Sequence, residues 1–148
     1  MAEALQPRLA SLADAAEVAR LSTQLGYPAG EADLRRRLAI VLASPTHVVM
    51  VAERDGTLVG WVAAEVRYTV ESEPRVEITG LVVDSATLRS GTGRLLVKAV
   101  QRWAGARGHR VTLVRSNVAR AESHPFYERL GYRRSTTQHV YQSGVDDS

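Results

Sequence analysis

The residues best equipped for chemistry in this sequence are Leu88-Arg89-Ser90-Gly91-Thr92-Gly93-Arg94. Two glycines let a backbone approach a ligand closely, and successive N–H groups at the start of a helix form an anion site. Arg89 and Arg94 add permanent positive charge suited to phosphate oxygens. The chemistry predicted is capture of a pyrophosphate by backbone amides. Spacing excludes two versions of it. A dinucleotide fingerprint needs a third small residue where Leu96 stands, and a nucleoside-triphosphate loop ends in Gly-Lys-Ser/Thr, whereas the chain reads Gly93-Arg94-Leu95.

Such a loop works only between a buried strand and a helix, and the flanking sequence supplies both. Val76 to Val83 reads as a central strand. Leu95, Leu96, Ala99, Val100, Trp103 and Ala106 recur at helical spacing, up to a stop at Gly108. Upstream, Arg8 to Ala10 reads as a short strand and Asp14 to Leu25 as an amphipathic helix ended by Gly26. Glu31 to Ala43 is a second helix with Arg35-Arg36-Arg37 facing solvent. His47 to Arg54 and Leu58 to Val66 flank Asp55-Gly56, a hairpin signal, and their near-continuous apolar character predicts cover on both faces. Downstream come a strand at Val111 to Arg115 and a short helix over Pro125 to Leu130, with Pro125 at its first position. One or two strands are expected within Tyr132 to Gln142, and a disordered tail from Ser143. The order β-α-α-β-β-β-α-β-α-β predicts an α/β fold, a mixed sheet with helices on both faces, in one domain spanning 1–148.

Composition bounds the function. Without cysteine there is no disulfide framework, no cysteine nucleophile and no zinc–thiolate site, which fits a cytoplasmic location. No leader-like start and no long apolar run argue for export or a membrane span. The net charge of +3 is carried by 19 basic residues, all but Lys98 arginine, too dispersed for a nucleic-acid surface. His47, His109, His124 and His139 are scattered without ligand spacing, so no metal is expected. No nucleophile elbow supports a hydrolase triad.

The run Leu88 to Gly93 resembles motif A of the GNAT superfamily, the acyl-coenzyme A dependent N-acetyltransferases, whose pattern is Gln/Arg-x-x-Gly-x-Gly/Ala. Leu88 stands where that pattern has Gln or Arg, and the nearest guanidinium is Arg89. Downstream, Arg115-Ser116-Asn117 and then Phe126-Tyr127-Glu128-Arg129-Leu130-Gly131-Tyr132 resemble motif B of the same superfamily. With both motifs in order, the likeness covers almost the whole chain and implies a GNAT-like acyl-CoA N-acyltransferase fold.

The resemblance also implies a set of roles. Acetyl-CoA is the expected co-substrate, a small-molecule primary amine the expected acceptor, and a homodimer the expected assembly. A protein amine as acceptor, or a non-catalytic acyl-CoA binding module, are the alternatives. Ser90, Gly91, Thr92, Gly93 and Arg94 would hold the pyrophosphate with Leu88 and Arg89. The backbone of Leu81, Val82 and Val83 would pair with the pantetheine arm, the Leu81 N–H facing the thioester oxygen, and Asn117 would bond the pantetheine amides. Tyr127 would protonate the departing thiolate, a tyrosine at pKa ~10 being able to donate to a thiolate at ~8.5. An alkyl ammonium must lose a proton before it attacks. Glu77, at the spacing where histone acetyltransferases place a glutamate base, or a water chain, would take it, and burial is expected to tune the carboxylate. Glu31, Asp33, Glu71 and Glu73 are candidates to attract a cationic amine, and Trp61 and Tyr68 to wall the acceptor site.

Overall fold

The structure, a computed structural model, describes residues 5–87, 90–115 and 123–145. The chain divides into two compact units, Met1–Arg115 and Ser116–Ser148. In the first unit, β1 (Gln6–Leu9) is followed by α1 (Ala15–Gln24) and α2 (Glu31–Ala43). Then come β2 (His47–Arg54), β3 (Thr57–Arg67), β4 (Arg75–Val83), α3 (Thr92–Ala106) and β5 (Thr112–Val114). The second unit contains α4 (Ser123–Arg129).

The sheet runs β1-β2-β3-β4-β5, antiparallel except for the parallel pair β4 and β5. At the β2–β3 turn Asp55 and Gly56 both take positive φ, 52° and 79°, as a two-residue type I′ hairpin requires. Helices cover both faces, as the unbroken apolar strands predict. Trp61 packs on one face with Val18 and Leu21 of α1, whereas its neighbour Gly60 faces Thr92 and Leu96 of α3. Adjacent strand residues point to opposite faces, so α1 and α3 lie on opposite sides of β3. A second cluster joins Ala15 of α1, Leu38 of α2 and Val49 of β2.

Three local readings are corrected. The buried residues of α3 are Thr92, Leu96, Val97, Ala99, Val100 and Ala104, so Leu96, Ala99 and Val100 are buried as expected, while Leu95 and Trp103 are only partly buried and Ala106 is exposed. The helix seats along its i, i+4 row, since α3 spans β2, β3 and β4 rather than one strand. Helix α4 begins two residues before Pro125, which therefore sits in the first turn, where its missing N–H had no intrahelical acceptor to lose. Within Tyr132 to Gln142 no strand is formed among the described residues, and Val140 and Tyr141 are both 90% exposed. Strand-favouring side chains make a strand only when a partner pairs with them.

Candidate active site

The site grows out of β4. At its start Val76–Ile78 pairs on one side with Ala64–Val66 of β3 and on the other with Thr112–Val114 of β5. The β3 register then slips. Ala64 opposes Ile78 and Ala63 opposes Gly80, so Thr79 is an extra residue, a β-bulge. Beyond Ile78 no strand pairs with the β5 side of β4 among the described residues.

The groups along that open edge follow from one bond. The Asp84 N–H donates to the Val59 carbonyl at 2.8 Å, so Asp84 faces β3. Alternation through the regular run back to Gly80 turns Val82 and Gly80 toward β3, and Leu81 and Val83 outward. The N–H and C=O of Leu81 and Val83 thus lie on an edge no described strand occupies. Val82 is placed differently. Its backbone belongs to the ladder with Trp61, and its side chain, 4% exposed, is in the core.

The open edge leads into the loop that the glycines predicted. A 3-10 turn at Ser85–Thr87 precedes it. Gly91 takes φ 89° at the cap of α3, a conformation ordinary L-residues avoid, and as a glycine it offers no side-chain cap bond to this helix. The first intrahelical bond is Leu95 N–H to the Gly91 carbonyl, 3.0 Å. Helix geometry therefore leaves the N–H groups of Thr92, Gly93 and Arg94 without intrahelical acceptors, at the positive end of the helix dipole. Thr92 is buried and its hydroxyl bonds that of Ser90 at 2.8 Å, fixing the turn from within. Arg94 is exposed and free to meet an anion. Leu88, Arg89 and Asn117 lie outside the described residues.

Glu77 is 5% exposed, yet it is not a lone buried acid. Arg115 Nε donates to Oε1 at 2.8 Å, and Arg67 Nη1 to Oε2 at 3.3 Å. Arg67 also lies 3.7 Å from Glu65, whose Oε2 is 2.8 Å from His47 Nε2. Register explains the row, because His47, Glu65 and Glu77 are direct cross-strand neighbours on one face of β2, β3 and β4. Glu77 thus links β3, β4 and the residue that follows β5 through two guanidinium contacts.

Trp61 belongs to the core cluster with Val18, Leu21 and Val82 rather than to an open wall. Its ring lies over Gly80, where a Cβ would come within 2.8 Å of it. The indole Nε1 is buried without an acceptor among the described residues. Tyr68, Glu31, Asp33, Glu71 and Glu73 are exposed, and Asp33 bonds Arg36 at 2.9 Å.

In the second unit Tyr127 is half-buried on α4. Its ring meets Phe126 edge-on at 5.0 Å and Tyr132 at 5.9 Å. Burial, with a smaller contribution from Tyr132, pushes its hydroxyl above the ordinary tyrosine pKa, so it stays a proton donor at neutral pH. Gly131, at φ 92°, ends the helix, and the Tyr132 N–H returns to the Tyr127 carbonyl at 3.1 Å.

Sequence reasoning allowed an arginine partner for Glu77 without identifying Arg67 and Arg115, and missed the seat of Trp61 on Gly80. Each joins residues on different strands, with no local spacing to announce it.

Comparison with known proteins identifies the family and the fold. The model of the Acetyltransferase (GNAT) family matches residues 12–132. The aminoglycoside N-acetyltransferase AAC(6')-Iy, solved with CoA, superposes with a TM-score of 0.87 at 19% identity, over 98% of this chain and 97% of that one. The 6'-N-acetyltransferase AAC(6')-Ih from Acinetobacter baumannii superposes at 0.85 and 16% identity, over 97% and 100%. A transcriptional regulator from Bacillus halodurans C-125 does so at 0.85 and 19%, over 95% and 100%. At such identities the likeness is one of fold. No curated protein sequence matches significantly. No helix among the described residues is long and apolar enough to cross a membrane.

Proposed function

The chain belongs to the Acetyltransferase (GNAT) family, and on that premise we propose that it moves the acetyl group of acetyl-CoA to a primary amine of a small molecule, by direct attack in a ternary complex. One observation carries the reading. The edge of β4 that β5 leaves unpaired beyond Ile78 among the described residues, its phase set by the bulge at Thr79, leads by way of the Ser85–Thr87 turn toward the start of α3, whose cap residue Gly91 has no side chain. Leu81 and Val83 offer backbone donors and acceptors in strand spacing, which suits the amides of a pantetheine arm. Thr92, Gly93 and Arg94 offer N–H groups and charge where the pyrophosphate would follow. Acetyl-CoA supplies an activated thioester.

The chain's own residues supply the rest. The Leu81 N–H, held rigid by its ladder neighbours, donates to the carbonyl oxygen as negative charge develops, a contribution of about 2.7–4 kcal/mol for donors of this kind. The Tyr127 hydroxyl, kept protonated by burial, delivers a proton to the departing thiolate. Glu77 anchors β4 between Arg67 and Arg115, and water carries the amine's proton away. A small cationic acceptor suits the exposed carboxylates Glu31, Asp33, Glu71 and Glu73, and structural neighbours named for aminoglycosides support an amine of that class.

Calorimetric titration with acetyl-CoA and with CoA lacking its 3′-phosphate tests the cradle, followed by a thiol-release screen over primary amines. Micromolar binding and turnover of an amine are expected. An absence of binding at low salt would sink the proposal.

A further inference from the structure

We infer that Arg20 and Gln24, on α1 and outside the cradle, are positioning residues that hold the cofactor loop in its binding shape. The inference rests on the acyl-CoA reading above. Arg20 donates to the Leu58 carbonyl at 2.8 Å, to Glu17 at 2.6 and 3.3 Å, and to Asp84 Oδ2 at 3.5 Å. Glu17 in turn accepts from the Leu58 N–H at 3.3 Å, so the pair grips both backbone groups of the residue that opens the core of β3. One turn later, Gln24 Oε1 accepts from the Ser85 N–H at 3.1 Å and from its hydroxyl at 3.3 Å.

Asp84 and Ser85 are where β4 becomes the loop, and bonds run onward from there. Asp84 Oδ1 accepts from the Ala86 N–H at 2.9 Å and its carbonyl from the Thr87 N–H at 2.9 Å. The Ser90 N–H donates to the Thr87 carbonyl at 3.2 Å, and the Ser90 hydroxyl meets that of Thr92 at 2.8 Å. A continuous series of hydrogen bonds thus joins α1 to the first turn of α3. Backbone amides bind an anion well only when already aimed, because ordering them on binding costs affinity. Arg20 and Gln24 meet that ordering cost during folding, from α1 rather than from the loop itself.

The test compares Arg20→Met, Arg20→Lys and Gln24→Ala with wild type by CoA titration, melting temperature, steady-state kinetics and amide hydrogen exchange. Loss of Arg20 is expected to raise the Kd for CoA about tenfold, equivalent to re-ordering roughly one residue. Arg20→Lys should recover part of this, and kcat at saturating acetyl-CoA and the amine KM should stay near wild type. Gln24→Ala, a milder change that keeps the protein assessable if Arg20→Met does not fold, should speed exchange at the Ser85 and Ala86 amides and raise Kd several-fold. A lower melting temperature with unchanged Kd would overturn the inference, leaving a purely structural contact, and so would unchanged exchange at Ser85 and Ala86. If wild type itself fails to bind CoA, the transferase reading falls, while exchange at those two amides still decides whether α1 holds the loop.

Discussion

Two glycines in this fold should respond oppositely to the same substitution. Gly60, on β3, lies under the first turn of α3. A methyl group there would stand 2.9 Å from Thr92 Cγ2, 3.0 Å from the Val82 carbonyl oxygen and 3.1 Å from Leu96 Cδ1. Thr92 is 1% exposed and Leu96 0%, so neither can swing into solvent, and the third contact is backbone. Overpacking of this kind costs about 1–3 kcal/mol. For a chain near this length that corresponds to a melting temperature lower by roughly 2–12 °C. Gly105 sits in α3 itself, with nothing within 4 Å of the added carbon and no positive φ. Alanine there removes backbone freedom from the unfolded chain and should stabilise by about 0.5–1 kcal/mol. Urea denaturation followed by far-UV circular dichroism reads both changes as midpoint shifts at constant slope. Because Thr92 and Leu96 belong to the turn that presents the cradle, Gly60→Ala should also weaken CoA binding, and Gly105→Ala should not. A Gly60→Ala protein within 0.5 kcal/mol of wild type, or the same sign for both variants, would refute the close seating of α3 on β3.

The other predictions concern the charged and acid–base groups. Tyr127→Phe should lower kcat by about 10²–10⁴, the range of a lost general acid, with little change in CoA affinity; because burial raises the hydroxyl's pKa, the wild-type rate should show no tyrosine limb below about pH 10. Glu77→Gln should act mainly on stability. Arg67 and Arg115 keep access to water, being 40% and 56% exposed, so a loss of about 1–3 kcal/mol is expected, and a fall in kcat of about 10² or more in the folded variant would instead identify Glu77 as the base. Asp14 is held below the usual carboxylate range first by hydrogen bonds from Arg8, at 2.8 and 2.9 Å, and then by the Ser11 N–H at 2.8 Å, against an opposing effect of burial. A depressed carboxylate stabilises the fold fully above its unfolded pKa of about 3.9 and loses that contribution as pH falls through the folded value. Stability should therefore drop below about pH 4 in wild type and more gently in Asp14→Asn, as measured by denaturation across pH.

What this sequence settles by itself is local. The hairpin at Asp55-Gly56, the helix stops at Gly26, Gly108 and Gly131, and the span of α2 from Glu31 to Ala43 all depend on residues within about a turn of each other. Here a glycine's freedom or a hydrophobic period decides the conformation. The glycine loop and the Phe126–Tyr132 run are equally local, which is why the family was legible before any coordinates. Tertiary structure decided the rest. The bulge at Thr79 sets Leu81 and Val83 facing away from β3, and the end of the β5 pairing at Ile78 leaves that edge without a strand among the described residues, both facts of pairing between strands. Arg67 on β3 and Arg115 just past β5 both reach Glu77 on β4, and Arg20 meets Asp84 across 64 positions of chain. Buried charges take whichever partners the sheet and helices bring within reach, and that proximity exists only once the chain has folded.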